Sequence, residues 1–320
     1  MYAPYRVLKP PARSKPGVPV LSCVFYAAAA SLDMMIEPRR VYCMDVMDFL
    51  DACKASGAKA DAIITDPPYA ISSNVVIARN DTTDIVLDFG SWDKFDGDDS
   101  FFKWTFAWVD KADEILRPGG IFVSFFDRDK VNFLARYLIR AHNYKRKNYF
   151  AWTKSNPAIQ FRKVKWSVGW EEAIVMQKPS GYDPATKEWL YGDLTYNHQL
   201  GQQPDYYTTS VISGHERFEA TVTVKGKDGR PEKDDKGRIK KIRHPTQKPV
   251  DLLSLFITYW TNPGDLVVDP FCGVGSAPVA CELNRRKWMA NDGSKTWSRI
   301  AKRRLEKYVN QGRLDDFIAK

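Results

Sequence analysis

The sequence predicts an α/β domain built on a doubly wound, mostly parallel sheet. Short apolar runs such as Ala62-Ile63-Ile64-Thr65 and Ile121 to Phe126 lack the polar alternation of a half-exposed strand, which suits strands covered on both faces. Segments with helical spacing separate them, so strands and helices alternate along the chain. One further strand runs into Gly273-Val274-Gly275 and then a helix, a turn that presents backbone N–H groups to an anionic ligand.

Taken in order, residues 1–18 are proline-rich and read as an extended arm. Arg6, Lys9, Arg13 and Lys15 precede an apolar run from Val18 to Ala30, a pattern that resembles a signal peptide. The run is too short to cross a membrane as a helix, and a packed helix behind the arm, within 1–40, is the preferred expectation. Val41 to Met44 is a short strand ending at Asp45, and Val46 to Ser56 a helix. Ala62 to Thr65 leads straight into Asp66-Pro67-Pro68-Tyr69. Residues 70–100 are polar and irregular, with Asn80, Asp81, Gly90 and Gly97 as breakers. A helix over Phe101 to Leu116 closes at Arg117-Pro118-Gly119-Gly120, and the Ile121 strand follows. Val131 to Ala141 is helical, and strands are expected near Tyr149–Thr153 and Glu172–Gln177.

The texture changes at Lys178-Pro179-Ser180-Gly181. Up to Arg243 there is little helical periodicity, and Tyr182, Trp189, Tyr191, Tyr196, Tyr206 and Tyr207 are expected to form the core of a small module. From Lys225 to Arg243, nine Lys or Arg stand against four Asp or Glu, with Lys-Asp-Gly-Arg and Asp-Lys-Gly-Arg pieces that read as tight turns. A helix over Val250 to Trp260, a strand over Leu266 to Asp269, the glycine loop and a strand over Trp288 to Asn291 complete the pattern. The expected division is an arm and helix over 1–40, a main domain over 41–180 and 244–310, an inserted module over 181–243, and a tail over 311–320.

Composition narrows the function. With 320 residues, 44% of them hydrophobic, the chain can bury a sizeable core, and 27% charged residues do not suggest disorder. A net charge of +9 suits a polyanionic partner. The five cysteines, Cys23, Cys43, Cys53, Cys272 and Cys281, include no C-x-x-C pair, so neither a disulfide framework nor a zinc site is indicated. Reduced cysteines in a cytoplasmic protein, with no metal and no membrane contact, are the expectation.

Two motifs carry chemistry. The first is Asp269-Pro270-Phe271-Cys272-Gly273-Val274-Gly275, followed nineteen residues after Gly273 by Asp292. A carboxylate at that distance can accept hydrogen bonds from ribose hydroxyls, which points to a nucleoside-type cofactor. The second is Asp66-Pro67-Pro68-Tyr69 at the end of a buried strand, where ligands bind in open α/β sheets. Its prolines fix φ and remove two N–H donors, leaving a carboxylate, a rigid carbonyl acceptor and an aromatic plane within four residues. A plain turn accounts for Asp and Pro there, but not for an acceptor-rich turn that ends in an aromatic.

Together these motifs resemble those of the DNA amino-methyltransferases, whose catalytic motif is (D/N/S)-P-P-(Y/F/W) and whose cofactor motif is F-x-G-x-G. His244-Pro245-Thr246-Gln247-Lys248-Pro249, Leu116 to Gly120, and Trp152, Lys154, Asn156 and Pro157 match further family segments. The catalytic motif precedes the cofactor motif, the permuted order of the family's β group. The variable region falls where that group carries its target-recognition domain. Gly293 and Ser294 after Asp292, Ser276 in place of threonine, and Met44 before Asp45 depart from the pattern. These changes bear on cofactor affinity rather than activity.

The resemblance implies a seven-stranded methyltransferase sheet and S-adenosylmethionine as cofactor. It also implies transfer to N6 of an adenine flipped out of double-stranded DNA, in the setting of restriction–modification, with N4 of cytosine or RNA as the alternative. A catalytically inactive DNA-binding relative is a remoter reading. A second copy of the chain, as a homodimer, is a further expected partner. Asp66, Pro67, Pro68 and Tyr69 would act on the base. Asp45, Thr246, Lys248, Asp269, Phe271, Gly273, Gly275 and Asp292 would hold the cofactor, although Asp45 also suits a helix N-cap and Lys248 a solvated charge. Lys225, Lys227, Arg230, Lys236, Arg238, Lys240, Lys241 and Arg243 are candidates for DNA phosphates. The loop from Ser72 to Asp98, with Trp92 and Asp93, is a candidate to close over the base.

Overall fold

The computed structural model describes residues 36–318 apart from 71–75, 80–81, 87–94, 158–165, 213, 227 and 235–236. The arm and apolar run expected in 1–40, Trp92 and Asp93 of the 72–98 loop, and Lys227 and Lys236 lie outside the described residues. In chain order the elements are β1 (Arg40–Tyr42), α1 (Val46–Ala55), β2 (Ala60–Thr65), β3 (Val76–Arg79), β4 (Thr82–Val86), α2 (Asp98–Ile115) and β5 (Leu116–Phe126). There follow α3 (Val131–His142), β6 (Lys145–Lys154), β7 (Trp170–Gln177), β8 (Gly181–Asp183), β9 (Glu188–Leu190), β10 (Tyr206–Thr209), α4 (Gly214–Glu219), β11 (Val222–Thr223) and β12 (Lys241–Ile242). The chain closes with α5 (Val250–Trp260), β13 (Leu266–Asp269), α6 (Ser276–Leu283), β14 (Lys287–Asn291) and α7 (Lys295–Ile318), which takes in most of the expected tail.

The main sheet has the order β1-β14-β13-β2-β5-β7-β6-β10. Its strands are parallel except β7, which runs against both β5 and β6. Seven strands were expected; the eighth, β10, comes from the inserted stretch 181–243 and pairs along the outer edge of β6. Helical periodicity cannot announce such a strand, because a four-residue edge strand has no period to read.

Side chains leave β2 alternately for the two faces. Ile63, with Phe122 of β5, packs against Phe49 and Leu50 of α1, Trp108 of α2 and Leu134 of α3. Ala62 and Ile64, with Val123, pack against Leu252 and Phe256 of α5, Val279 of α6 and Leu305 of α7. Both faces are therefore covered, which explains the unbroken apolar runs.

The order of the strands reverses between β2 and β13. From β2 the chain goes on through α2 to β5 on one side, and from β13 through α6 to β14 on the other. Adjacent strands diverging in this way open a crevice beyond their carboxyl ends. Val267 and Val268 pair with Ala62 and Ile63, so two motifs some 200 residues apart emerge side by side.

The stretch 181–243 does not form the aromatic core expected of it. Tyr182, Trp189, Tyr196 and Tyr206 are exposed. The β8–β9 hairpin is a two-stranded sheet, with Tyr182 and Trp189 in contact across it, and Tyr196 lies on Tyr259 and Trp260 of α5. Within Lys225–Arg243, Gly229 N donates to Gly226 O and Gly237 N to Asp234 O, the closures expected of tight turns.

Candidate active site

Beyond β2 and β13 lies a cavity of about 390 Å³. It is lined by all of Asp66-Pro67-Pro68-Tyr69, and by Asp45, Thr246, Lys248, Asp269, Phe271, Gly273 and Asp292. Of the twelve expected catalytic and cofactor residues, only Gly275 stays outside this lining. A Cβ there would lie 3.2 Å from Ala301 Cβ and 3.4 Å from Leu305 Cδ1, with φ at +81°, so Gly275 serves the packing of α6 on α7. Gly273 faces the cavity wall: its φ is +52° and a Cβ would meet His244 Nε2 at 3.1 Å.

The loop after β13 is held from both ends. Asp269 Oδ1 accepts from Thr65 Oγ1 at 2.7 Å and from Phe271 N at 3.2 Å, tying the start of the loop to β2. Asp292 Oδ2 accepts from Gly273 N at 3.0 Å, and Oδ1 from Ser294 N at 2.8 Å. Each Asp292 oxygen keeps further lone-pair capacity, and the residue lines the cavity. Phe271 sits among the rings of Trp104 and Trp108, with centroids at 5.6 and 5.2 Å. Asp45 is both an N-cap, accepting from Met47 N at 2.8 Å, and part of the cavity wall.

On the other side, Asp66 is gripped at both oxygens. Oδ1 accepts from the Tyr69 hydroxyl at 2.5 Å, and Oδ2 lies 2.5 Å from Lys248 Nζ. Lys248 is not the solvated charge it resembles in the sequence. Only 4% of its side chain is exposed, and it also contacts Glu171 Oε2 at 3.0 Å. Lys130 Nζ donates to the Tyr69 carbonyl at 2.8 Å and steadies the turn.

Electrostatics follow from burial. Asp66 is raised above the usual carboxylate range because desolvation outweighs Lys248. Desolvation likewise lifts Asp269 to about 7 and Asp292 to about 6. Lys248 is held above its ordinary value: burial opposes its charge, but Asp66 and Glu171 win. His244, buried and near Lys248, is pushed down to about 4 and is neutral at pH 7.

Sequence reasoning missed Trp104 and Glu171, and reached Phe95 only as part of the 72–98 loop. Glu171 stands second in β7, and two consecutive acids opening an apolar strand are the trace it leaves. Its proximity to Asp66 depends on β7 being antiparallel, which no local pattern records. Of the expected DNA contacts, Arg230, Arg238 and Lys240 pair with Asp228, Asp234 and Glu232, at 3.9, 2.7 and 3.5 Å. Lys225, Lys241 and Arg243 are exposed on the same hairpins. Among the described residues, no His, Cys, Asp and Glu side chains are grouped to hold a metal ion, and no helix is long and apolar enough to cross a membrane.

A doubly wound sheet with one antiparallel strand, a glycine loop paired with a carboxylate, and an Asp-Pro-Pro-Tyr turn in the same crevice define a nucleoside-cofactor amino-methyltransferase architecture. The DNA methylase family of N6/N4 type matches residues 60–303, and the chain belongs to that family. It is thus a DNA methyltransferase, and the methyl donor of its family is S-adenosylmethionine. The Type II methyltransferase M2.MboI of Moraxella bovis is 27% identical over 251 residues, 76% of this chain and 80% of that protein. M2.DpnII of Streptococcus pneumoniae is 26% identical over 263 residues, 82% of this chain and 87% of its own. The crystal structure of the M1.HpyAVI–SAM complex shares the fold, with a TM-score of 0.59 at 21% identity, covering 83% of this chain and 98% of that one.

Proposed function

We propose that the chain methylates N6 of an adenine flipped out of duplex DNA at a short target sequence, as a modification enzyme of the Type II kind its relatives are named for. The observation that supports this most is the position of Asp66. It directly follows β2 and lines the same cavity as Phe271, Gly273 and Asp292, so a base and a nucleoside cofactor can meet there. Asp at the first position of the motif, rather than Ser, favours adenine.

The residues present suit the cofactor. Gly273 keeps the loop backbone bare of a side chain, Asp292 has acceptor capacity for ribose hydroxyls, and Asp45 stands at the wall where the adenine end would lie. Thr246 is left to meet the carboxylate end, since Lys248 is engaged by Asp66 and Glu171. Bound S-adenosylmethionine supplies the electrophilic methyl group.

The protein's part is to make N6 nucleophilic. The N6 lone pair is delocalised into the ring. Accepting both N6 hydrogens, at the Asp66 carboxylate and the Pro67 carbonyl, draws the nitrogen towards tetrahedral geometry. The Asp66 charge then stabilises the positive charge that develops there, until one of the two N6 protons is lost to leave the neutral methylated amine. A base in a duplex cannot reach this turn and must leave the stack. Stacking on Tyr69 would contribute about 1–3 kcal/mol. Residues 181–243 are read as the target-recognition region, with Lys225, Arg230, Arg238, Lys240, Lys241 and Arg243 toward phosphates.

Asp66→Ala tests the reading. Turnover should fall about 100-fold or more, the scale of a lost transition-state electrostatic group, while cofactor affinity stays within a few fold. Near-normal turnover would remove Asp66 from the mechanism.

A further inference from the structure

We infer that Glu171 is a positioning residue for methyl transfer, acting on Asp66 through Lys248; this rests on the reading of Asp66 as the acceptor for the N6 hydrogens. Because β7 is antiparallel to its neighbours, its first residues lie at the edge of the sheet where β2 ends. There Glu171 Oε2 holds Lys248 Nζ at 3.0 Å, and Lys248 Nζ holds Asp66 Oδ2 at 2.5 Å. The other Glu171 oxygen meets Lys154 Nζ at 2.6 Å. Carboxylate, ammonium, carboxylate and ammonium thus alternate from the cavity towards the end of β6.

Two consequences follow from charge and geometry. Lys248 paired with Asp66 alone would cancel the charge that Asp66 must turn towards a cationic N6. Glu171 offsets the ammonium from behind, and the nearer charge dominates at each end of the chain. The clamp also divides the labour between the two oxygens of Asp66. Oδ2 stays with the fixed Lys248, whereas among the described residues the partner of Oδ1 is the Tyr69 hydroxyl, at 2.5 Å. An entering amino group therefore displaces a neutral donor and not an ammonium. A buried charged pair retained beside a reacting group is explained better by positioning than by stability, since such pairs contribute little net to folding.

Kinetics of the full-length enzyme on duplex DNA test this. Glu171→Gln should lower kcat by roughly 10- to 100-fold, with KM for DNA and for S-adenosylmethionine within about threefold. The groups facing Asp66 are Lys248, Glu171, Tyr69 of its own turn and Asp269 at the end of β13. Removing the negative Glu171 takes away a neighbour that raises the pKa of Asp66, so the acid limb of the kcat profile should move to lower pH. Glu171→Asp, which keeps the charge, should restore the wild-type acid limb and part of the rate. In a Lys248→Met background, Glu171→Gln should add less than about threefold, because its effect passes through Lys248. The inference is overturned by a wild-type rate and profile in Glu171→Gln, or by equal losses in both backgrounds. A loss of thermal stability alone, with the folded enzyme fully active, overturns it too. An active Asp66→Ala enzyme would instead defeat the underlying reading of Asp66, whereas an inactive Asp66→Ala beside a wild-type Glu171→Gln defeats only the role of Glu171.

Discussion

Asp269 and Asp292 face one cavity with Asp66, and burial lifts their carboxyls to about 7 and about 6. Near neutral pH both are therefore partly protonated in the free protein. A cofactor with a cationic sulfonium and an ammonium favours their ionised forms, and the ribose contact proposed for Asp292 needs it as an acceptor. Binding should then lower both pKa values and release protons, so affinity should rise as pH increases from below 6 to above 7. The gain is about tenfold for each unit by which one pKa falls. His244, pushed down to about 4, stays neutral across this window and does not reverse the sign. Calorimetric titration in two buffers of different ionisation enthalpy reads the proton release directly; proton uptake or a flat pH profile would contradict it. At this scale the sequence was legible where a role is local. Asp66 and Asp292 follow strands and are set by their own turns. Lys248 and Glu171 were not readable as partners, because only the sheet topology brings residues 182 and 77 positions apart together.

The element proposed to hold the cofactor is the loop from β13 into α6, and its two glycines should fail differently. Gly273 has φ +52°, and a Cβ there would press on the His244 ring at 3.1 Å at the cavity wall. Gly273→Val should abolish cofactor binding while the fold survives. Gly275 has φ +81° and abuts Ala301 of α7, so Gly275→Val should lower stability by about 1–3 kcal/mol before it alters the cavity. Thermal melts and cofactor titrations on both variants separate the two effects, and a folded Gly273→Val that binds normally would show the loop to be misread. Long periodic elements were the readable ones: α5 and β13 fall over Val250–Trp260 and Leu266–Asp269, as their patterns predict. The elements of 181–243 were not. Their strands have two to four residues, and their turns hold themselves by local hydrogen bonds rather than by an apolar face.

For the whole molecule, the permuted order of motifs makes sense through the sheet. β2 and β13 are distant in the chain yet adjacent in the structure, so either order of motifs builds the same crevice. The basic hairpins over 225–243 are the part whose role is most exposed to test. Neutralising Lys240, Lys241 and Arg243 together should flatten the slope of log K for DNA against log salt by roughly one to three units, at about 0.9 per phosphate. Lys240 already pairs with Glu232 at 3.5 Å, which places the expectation in the lower part of that range. Preference for cognate over scrambled duplex should persist, since phosphate contacts position and base contacts specify. An unchanged slope would move the DNA-holding surface to the catalytic sheet edge. The central claim, adenine N6 methylation at a defined sequence through Asp66, is tested most directly by modification-sensitive sequencing of DNA from cells that express the protein. N6-methyladenine is expected at one short motif, present with the wild-type protein and absent with Asp66→Ala. N4-methylcytosine, methylation without a motif, or an equal signal from the Asp66→Ala variant would contradict it.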